Sequence, residues 1–400
     1  MDIVCNPKDF SPAGQKDAFL YARVACCIAH TGDRHICCQK NRGGHRLPMV
    51  LIPSPIVPTS ELSKTYRRRG PHLSAIGHNV LQIKDLSATY SQADGTPLRA
   101  LENINLTIRP GEIVGVLGES GCGKSTLANA VRGLLPRTGR IERGQILFRD
   151  RDLCELSEAQ FRALRGGKIA CVPQDPVLAL NPVLKSGKQI EEVLRAHLSL
   201  KRKERKERVL DLLREMGFDN PQRIADSYPH QISGGQRQRI VIAQAIACEP
   251  DLLIADEPTS KLDVSLRREI ADVLLRLHEK HGMAVLLISH DVAFVASIAH
   301  RIVLMYAGRV VETAPRSAMV VRPLHPYGQE LLRLARMSAL TTSPVREHFS
   351  LLSENRETES RRGCCFAPRC QERMPVCAER LPGELQPEAG RIVSCFKYGE

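Results

Sequence analysis

The sequence predicts an α/β fold: a largely parallel sheet with crossover helices, followed by a small cysteine-rich tail. Two observations carry that expectation. From Val80 to about Arg336, short apolar runs alternate with amphipathic helical patterns. Within that stretch, Ile113-Val114-Gly115-Val116-Leu117 leads directly into Gly118-Glu119-Ser120-Gly121-Cys122-Gly123-Lys124-Ser125-Thr126, which satisfies G-x-x-x-x-G-K-[ST]. A strand, a glycine-rich turn and a helix in that order form the setting in which backbone N–H groups cradle phosphate. The chain is therefore expected to bind a nucleoside triphosphate.

The elements follow from the pattern. Residues 1–79 carry Cys5, Cys26, Cys27, Cys37 and Cys38, scattered prolines and no sustained period, so they read as a poorly structured extension. They hold 11 Lys and Arg against 5 Asp and Glu, a net +6 of the chain's +13. One string there, Glu61 to Tyr66, is echoed at Asp85 to Tyr90, and only the second copy leads into the phosphate loop. Strands are expected at Val80–Tyr90, Ile113–Leu117, Ile169–Val172, Leu252–Ala255 and Ala284–Ile288. Helices are expected at Lys124–Leu134, Gln189–His197, Arg205–Met216, Gln236–Ala247 and Leu266–His278. Residues 337–362 are polar and read as a linker, and 363–400 form the cysteine-rich tail.

Composition excludes several classes. The 42% hydrophobic fraction is ordinary for soluble protein, and the longest apolar stretch, Ile288 to Tyr306, is broken by His290, Asp291, His300 and Arg301. A span of the bilayer is not expected. Phe19 to Ala29 contains Arg23 and lacks a basic start, so no signal peptide is expected and the chain should remain cytoplasmic. No Trp and 4% aromatics argue against a stacking surface, and the charged run Lys201 to Arg208 mixes signs at helical spacing, so nucleic acid is not an expected partner.

Particular side chains then acquire roles. Gly118, Gly121 and Gly123 let the loop curl around phosphate, Lys124 reaches the β- and γ-phosphates, and the Ser125 hydroxyl suits Mg²⁺. The apolar run Leu252 to Ala255 ends in Asp256 and Glu257: the first suits Mg²⁺ and the second suits an attacking water. Ser233-Gly234-Gly235-Gln236 stands before a helical pattern and forms a second anion-binding surface. One domain cannot easily wrap one triphosphate with both surfaces, so the second is expected to close on a nucleotide held by another subunit.

In that combination and order, the chain resembles the nucleotide-binding subunit of an ATP-binding cassette transporter over about residues 80–400. The resemblance implies a RecA-like phosphate-loop core with an antiparallel β subdomain and a helical subdomain. It assigns adenine stacking to Tyr90, a Q-loop role to Gln174, a D-loop role to Asp263 and a switch role to His290. Catalysis then falls to Glu257, His290 and Gln174, and Mg²⁺ to Ser125, Gln174 and Asp256. Two residues depart from the family pattern. Ile232 replaces a usual Leu, and Lys261 stands where a small residue is usual. A homodimer would bring two such lysines together, so a paralogous second ATPase subunit is the expected partner.

The tail narrows the resemblance. Pro323-Leu-His-Pro-Tyr327, an amphipathic helix, and Cys364, Cys370, Cys377 and Cys395 in a C-x5-C-x6-C-x17-C pattern resemble the importers of oligopeptides, dipeptides and nickel. The resemblance implies a [4Fe–4S] cluster; zinc and unliganded reduced thiols are the other readings, and disulfides are not expected in a cytoplasmic chain. Cys365 and the five N-terminal cysteines have no assigned role. The expected protein hydrolyses ATP at the cytoplasmic face of a bacterial inner membrane to energise peptide import, with nickel import the alternative. It would work with two membrane permease subunits and an extracytoplasmic solute-binding protein. Chromosome-type cassettes insert long coiled coils between phosphate loop and acidic pair, whereas 138 positions without heptads separate Gly118 from Asp256 here. Translation factors carry two cassettes per chain and exporters carry fused membrane spans; one cassette and no span are read here.

Overall fold

The computed structural model describes residues 79–340 and 362–399. The N-terminal extension, with its cysteines and the first copy of the repeated string, lies outside the described residues, as does most of the expected linker. Twelve strands are found among the described residues: β1 (Leu81–Ser91), β2 (Pro97–Ile108), β3 (Ile113–Leu117), β4 (Gly139–Phe148), β5 (Arg151–Asp152), β6 (Ile169–Val172), β7 (Leu252–Asp256), β8 (Ala284–Ser289), β9 (Arg301–Tyr306), β10 (Arg309–Pro315), β11 (Leu385–Glu388) and β12 (Arg391–Val393). They form an antiparallel sheet in the order β2-β1-β4-β5 and a mixed sheet in the order β11-β12-β10-β9-β3-β8-β7-β6. The pairs from β6 through β9 are parallel and those from β9 through β11 are antiparallel. The α/β class and the antiparallel subdomain are thus as the sequence and its resemblance indicate.

Alternation explains why the central strands are apolar throughout. On β3, Ile113 and Leu117 enter one core while Val114 and Val116 enter the other. On β7 and β8, Leu253, Ala255, Val285 and Leu287 face the first core, and Leu252, Ile254, Leu286 and Ile288 face the second. A parallel strand buried on both faces has no polar side to show. The first core is completed by helices such as Gly234–Ile246 and Val264–His281, and the second by β1, β2 and the helix Lys124–Val131.

The boundaries differ from expectation in ways that have local causes. The helix expected to run to Leu134 stops at Val131, because Gly133 turns the chain with φ 61°. The helix expected at Leu266–His278 extends from Val264 to His281, capped by Asp263 at its start and by Gly282, φ 63°, at its end. The last long helix continues past Arg336 to Leu340, so the expected linker starts later. The cysteine-rich tail is not a separate appendage: β12 pairs with β10 and so extends the main sheet. Its anchor is electrostatic. Arg391 donates to Glu312 at 3.0 Å, and Glu312, wholly buried, also accepts from the N–H groups of Leu324 at 2.9 Å and His325 at 2.8 Å. A buried carboxylate needs that many donors to be tolerated.

Candidate functional site

Register places the site. Leu117 pairs with Ser289, Asp256 with Ile288, and Val172 with Ala255, so β3, β8, β7 and β6 end level with one another. The residues that follow these ends are Gly118, His290, Glu257 and Gln174, all named from sequence. The carboxyl edge of a parallel sheet is where such folds bind ligands, because loops from several strands converge there.

The phosphate loop is tightly shaped. A Cβ on Gly118 would lie 2.3 Å from the Met305 carbonyl oxygen, and Gly123 sits at φ 108°, where a side chain is strained. Lys124 is buried, and its ammonium donates to the carbonyls of Gly118 at 2.7 Å and Glu119 at 2.8 Å, with the Cys122 sulfur at 3.7 Å. Burial raises the Cys122 thiol above its ordinary value, so it stays a neutral packing group. Ser120 and Gly121 are exposed along the loop. The Tyr90 hydroxyl donates to Thr126 Oγ1 at 3.2 Å, which fixes the ring of the expected adenine platform beside the helix that starts at Lys124.

The acidic pair is divided in function by geometry. Ser125 Oγ lies 3.4 Å from Asp256 Oδ1. Burial, and to a lesser degree the neighbouring Glu257, raises the Asp256 carboxyl above its usual range. A hard oxygen pair of this kind fits Mg²⁺. Glu257 is buried, sits at φ 49°, and donates its backbone N–H to Ile288 at 2.8 Å. A non-glycine residue held there is strained, and its carboxylate lies against His290. His290 Nδ1 lies 2.8 Å from Oε1 and 2.6 Å from Oε2. Only Oε1 has hydrogen-bond geometry, which leaves Oε2 buried without a hydrogen-bond partner. Gln174 is exposed just beyond β6.

The signature residues stand at the start of the helix Gly234–Ile246. Ser233 caps it, accepting from the Gln236 N–H at 3.3 Å, while the Gln236 side chain accepts from the Ser233 N–H at 3.1 Å. Gly235 is buried, and a Cβ there would meet Leu266 at 3.0 Å. Asp263 caps the next helix, accepting from Leu266 N–H at 2.9 Å and Ser265 Oγ at 2.6 Å. Lys261 is ion-paired with Asp175 of its own chain, next to Gln174. That contact holds the Asp175 carboxyl below its usual value and supplies a partner for the charge expected to face a second lysine.

Cys364, Cys370, Cys377 and Cys395 all line one small cavity, together with His325 and Phe366. The Cys364 N–H donates to the Cys377 carbonyl at 2.8 Å, which draws two of them together. Hydrogen bonds from Cys365 and then His325 outweigh burial and push the Cys364 thiol below its ordinary value. Soft thiolates around one space are the donor set of zinc or iron–sulfur sites. Among the described residues, however, no group of three or more His, Cys, Asp or Glu side chains is spaced to hold a metal ion. Sequence reasoning missed the outer contacts of Glu119. Its carboxylate is gripped by Arg369 and its N–H by Tyr327, residues more than 200 positions away with no motif to announce them.

Residues 101–260 match the family described as ABC transporter, and residues 311–377 match the oligopeptide/dipeptide transporter C-terminal region. The chain is 40% identical to a probable peptide ABC transporter ATP-binding protein of Sinorhizobium fredii, over 80% of this chain and 96% of that protein. It is 39% identical to the dipeptide transport ATP-binding protein DppD of Escherichia coli, over 79% and 96% respectively. Among solved structures it resembles the dimeric post-hydrolysis state of the ATP-binding cassette MJ0796 bound to ADP and Pi. That likeness has a TM-score of 0.53 and 30% identity, and covers 59% of this chain and 98% of that one.

Proposed function

This chain belongs to the ATP-binding cassette transporter family, and from that premise we propose that it hydrolyses ATP to energise import of peptides through a separate membrane permease. The observation that carries the reading is the level carboxyl edge, where the phosphate loop, the Asp256–Glu257 pair and His290 follow three neighbouring strands. The relatives named above for peptides and dipeptides favour peptide cargo over nickel, the alternative drawn from sequence.

In the proposed mechanism Lys124 and the loop N–H groups hold the phosphates, and Tyr90 carries the adenine. Ser125, Asp256 and Gln174 would hold Mg²⁺, which neutralises charge on the β- and γ-phosphates when bound. Glu257 orients the attacking water and takes its proton, while His290, whose Nδ1 lies against both carboxylate oxygens, holds that carboxylate in place. Ser233 to Gln236 of a second ATPase subunit would close over the nucleotide. A paralogue was the expected partner; the Lys261–Asp175 pair within the chain weakens the charge argument for it. ATP hydrolysis at full rate by this chain alone would exclude the need for a paralogue.

Val177, Leu178 and Val183 are 55%, 85% and 75% exposed just beyond Gln174. Apolar side chains offered to solvent beside the catalytic edge support docking of two permease subunits there, at the inner face of the membrane. No described helix is long and apolar enough to cross a bilayer. An extracytoplasmic solute-binding protein would deliver cargo to the permease. For the tail, we propose that Cys364, Cys370, Cys377 and Cys395, which line one cavity but as they stand are not spaced to hold a metal ion, are the ligands of a [4Fe–4S] cluster. A brown protein with broad visible absorption after anaerobic purification is expected, and a colourless zinc-containing sample would replace cluster by zinc. The central test is Glu257→Gln. ATP binding should persist while turnover falls by about 10²–10⁴-fold, measured as phosphate release from the reconstituted transporter. Retained turnover would show that another group positions the water.

A further inference from the structure

The first variable residue of the phosphate loop is held on every side. The Glu119 carboxylate receives Arg369 Nη1 at 2.9 Å and Nη2 at 3.0 Å, a bidentate pair in which both side chains are largely buried. Its backbone N–H donates to the Tyr327 hydroxyl at 2.9 Å, and its carbonyl accepts from Lys124 Nζ at 2.8 Å. Arg369 is itself fixed: Nη2 also donates to Glu330 at 3.1 Å, and the guanidinium stands 5.6 Å from the Tyr306 ring centroid and 5.5 Å from that of Phe366. A planar fork seated on two rings and two carboxylates has little freedom left.

We propose that Arg369 is a positioning residue for the nucleotide site, setting through Glu119 where the Lys124 ammonium stands. The path is short: guanidinium to carboxylate, then through the covalent frame of one residue to the carbonyl that holds the ammonium. Lys124 must present its charge to phosphate while two carbonyls hold it, so a displacement of the Glu119 carbonyl moves the charge with it. Tyr327, buried, supplies the second point that stops Glu119 from rotating about its own backbone. Both Arg369 and Tyr327 lie in the region that follows the cassette, so this region forms part of the ATP site. The inference rests on the reading of Gly118 to Thr126 as the phosphate loop.

The test is ATP affinity, measured by equilibrium binding to the full chain, for Arg369→Gln, Glu119→Gln, the double variant, Arg369→Lys and Lys124→Ala, with melting temperatures alongside. Each single clamp variant should weaken ATP binding about tenfold in folded protein, and the double should be no weaker than either single. Arg369→Lys keeps the charge without the fork and should recover part of the loss. Full affinity in folded Arg369→Gln, or losses that add in the double variant, would overturn the proposal. Where Arg369→Gln does not fold, Glu119→Gln decides the matter from the other side of the pair: full affinity in that variant overturns the proposal equally. Undiminished binding by Lys124→Ala would instead overturn the phosphate-loop reading; loss there with full affinity in the clamp variants would remove only the role of Arg369.

Discussion

The helices that begin at Lys124 and at Gly234 both start among glycine and serine residues, yet the first is left open and the second is closed. At the phosphate loop the cap is Gly123, in a left-handed conformation and without a side-chain hydrogen bond, so the first-turn N–H groups stay available. At the signature, Ser233 and Gln236 satisfy one another in a reciprocal capping box. The difference teaches how labour would be divided across the shared site proposed above. The open end can grip phosphate within a single chain. The closed end keeps its shape while exposed, and because Ser233 Oγ accepts from Gln236, its proton remains available to donate to an anion brought by a partner.

That contrast is most sharply broken at Lys124. Replacing it by alanine removes a preset charge from the open end, and ATP affinity should fall about 100-fold, measured by equilibrium binding to the full chain. Unchanged affinity would overturn the reading of this open end as the phosphate-gripping one. The second effect is smaller and falls on turnover. Ser233→Ala should leave ATP affinity within about twofold, lower hydrolysis by the paired complex about tenfold, and cost about 1 kcal/mol of stability through the lost cap. A fall in ATP affinity of the isolated chain would show that the signature already serves its own nucleotide.

The legible parts of this molecule are those whose chemistry is local. The phosphate loop, the strand-end acids and the signature each lie within nine consecutive residues, and apolar runs such as Ile113–Leu117 announce a doubly buried strand by themselves. The strand Pro97–Ile108 escaped notice because Asn103, at φ 52°, and paired bulges against β1 break its alternation. The fate of Lys261 was unreadable for another reason. Its departure from pattern is visible in sequence, but its partner Asp175 stands 86 positions earlier and meets it only once β6 and β7 are paired. Arg369 and Glu119 are 250 positions apart, and although Glu119 belongs to the phosphate-loop motif, nothing in sequence names Arg369 as its partner until the tail joins the sheet.

The smallest effect concerns the frame that carries the closed end. The helix Arg202–Glu215 is tied to the helix Val264–His281 through Glu215, whose carboxylate meets Lys280 Nζ at 2.7 Å and His281 Nε2 at 3.1 Å. Burial alone would raise this carboxyl, but the hydrogen bonds from His281 and Lys280 outweigh it and bring it from 4.5 down to about 2. A lowered folded value means that the unfolded chain binds the proton more readily. The contribution is therefore complete above about pH 4.5 and is lost as pH falls towards about 2. Glu215→Gln should lower the melting temperature by a few degrees at pH 7, and the gap from wild type should close across that acid window. ATP affinity should not change, since the tie touches no residue of the open end. A gap that persisted at acid pH would assign the loss to packing of the side chain rather than to its charge.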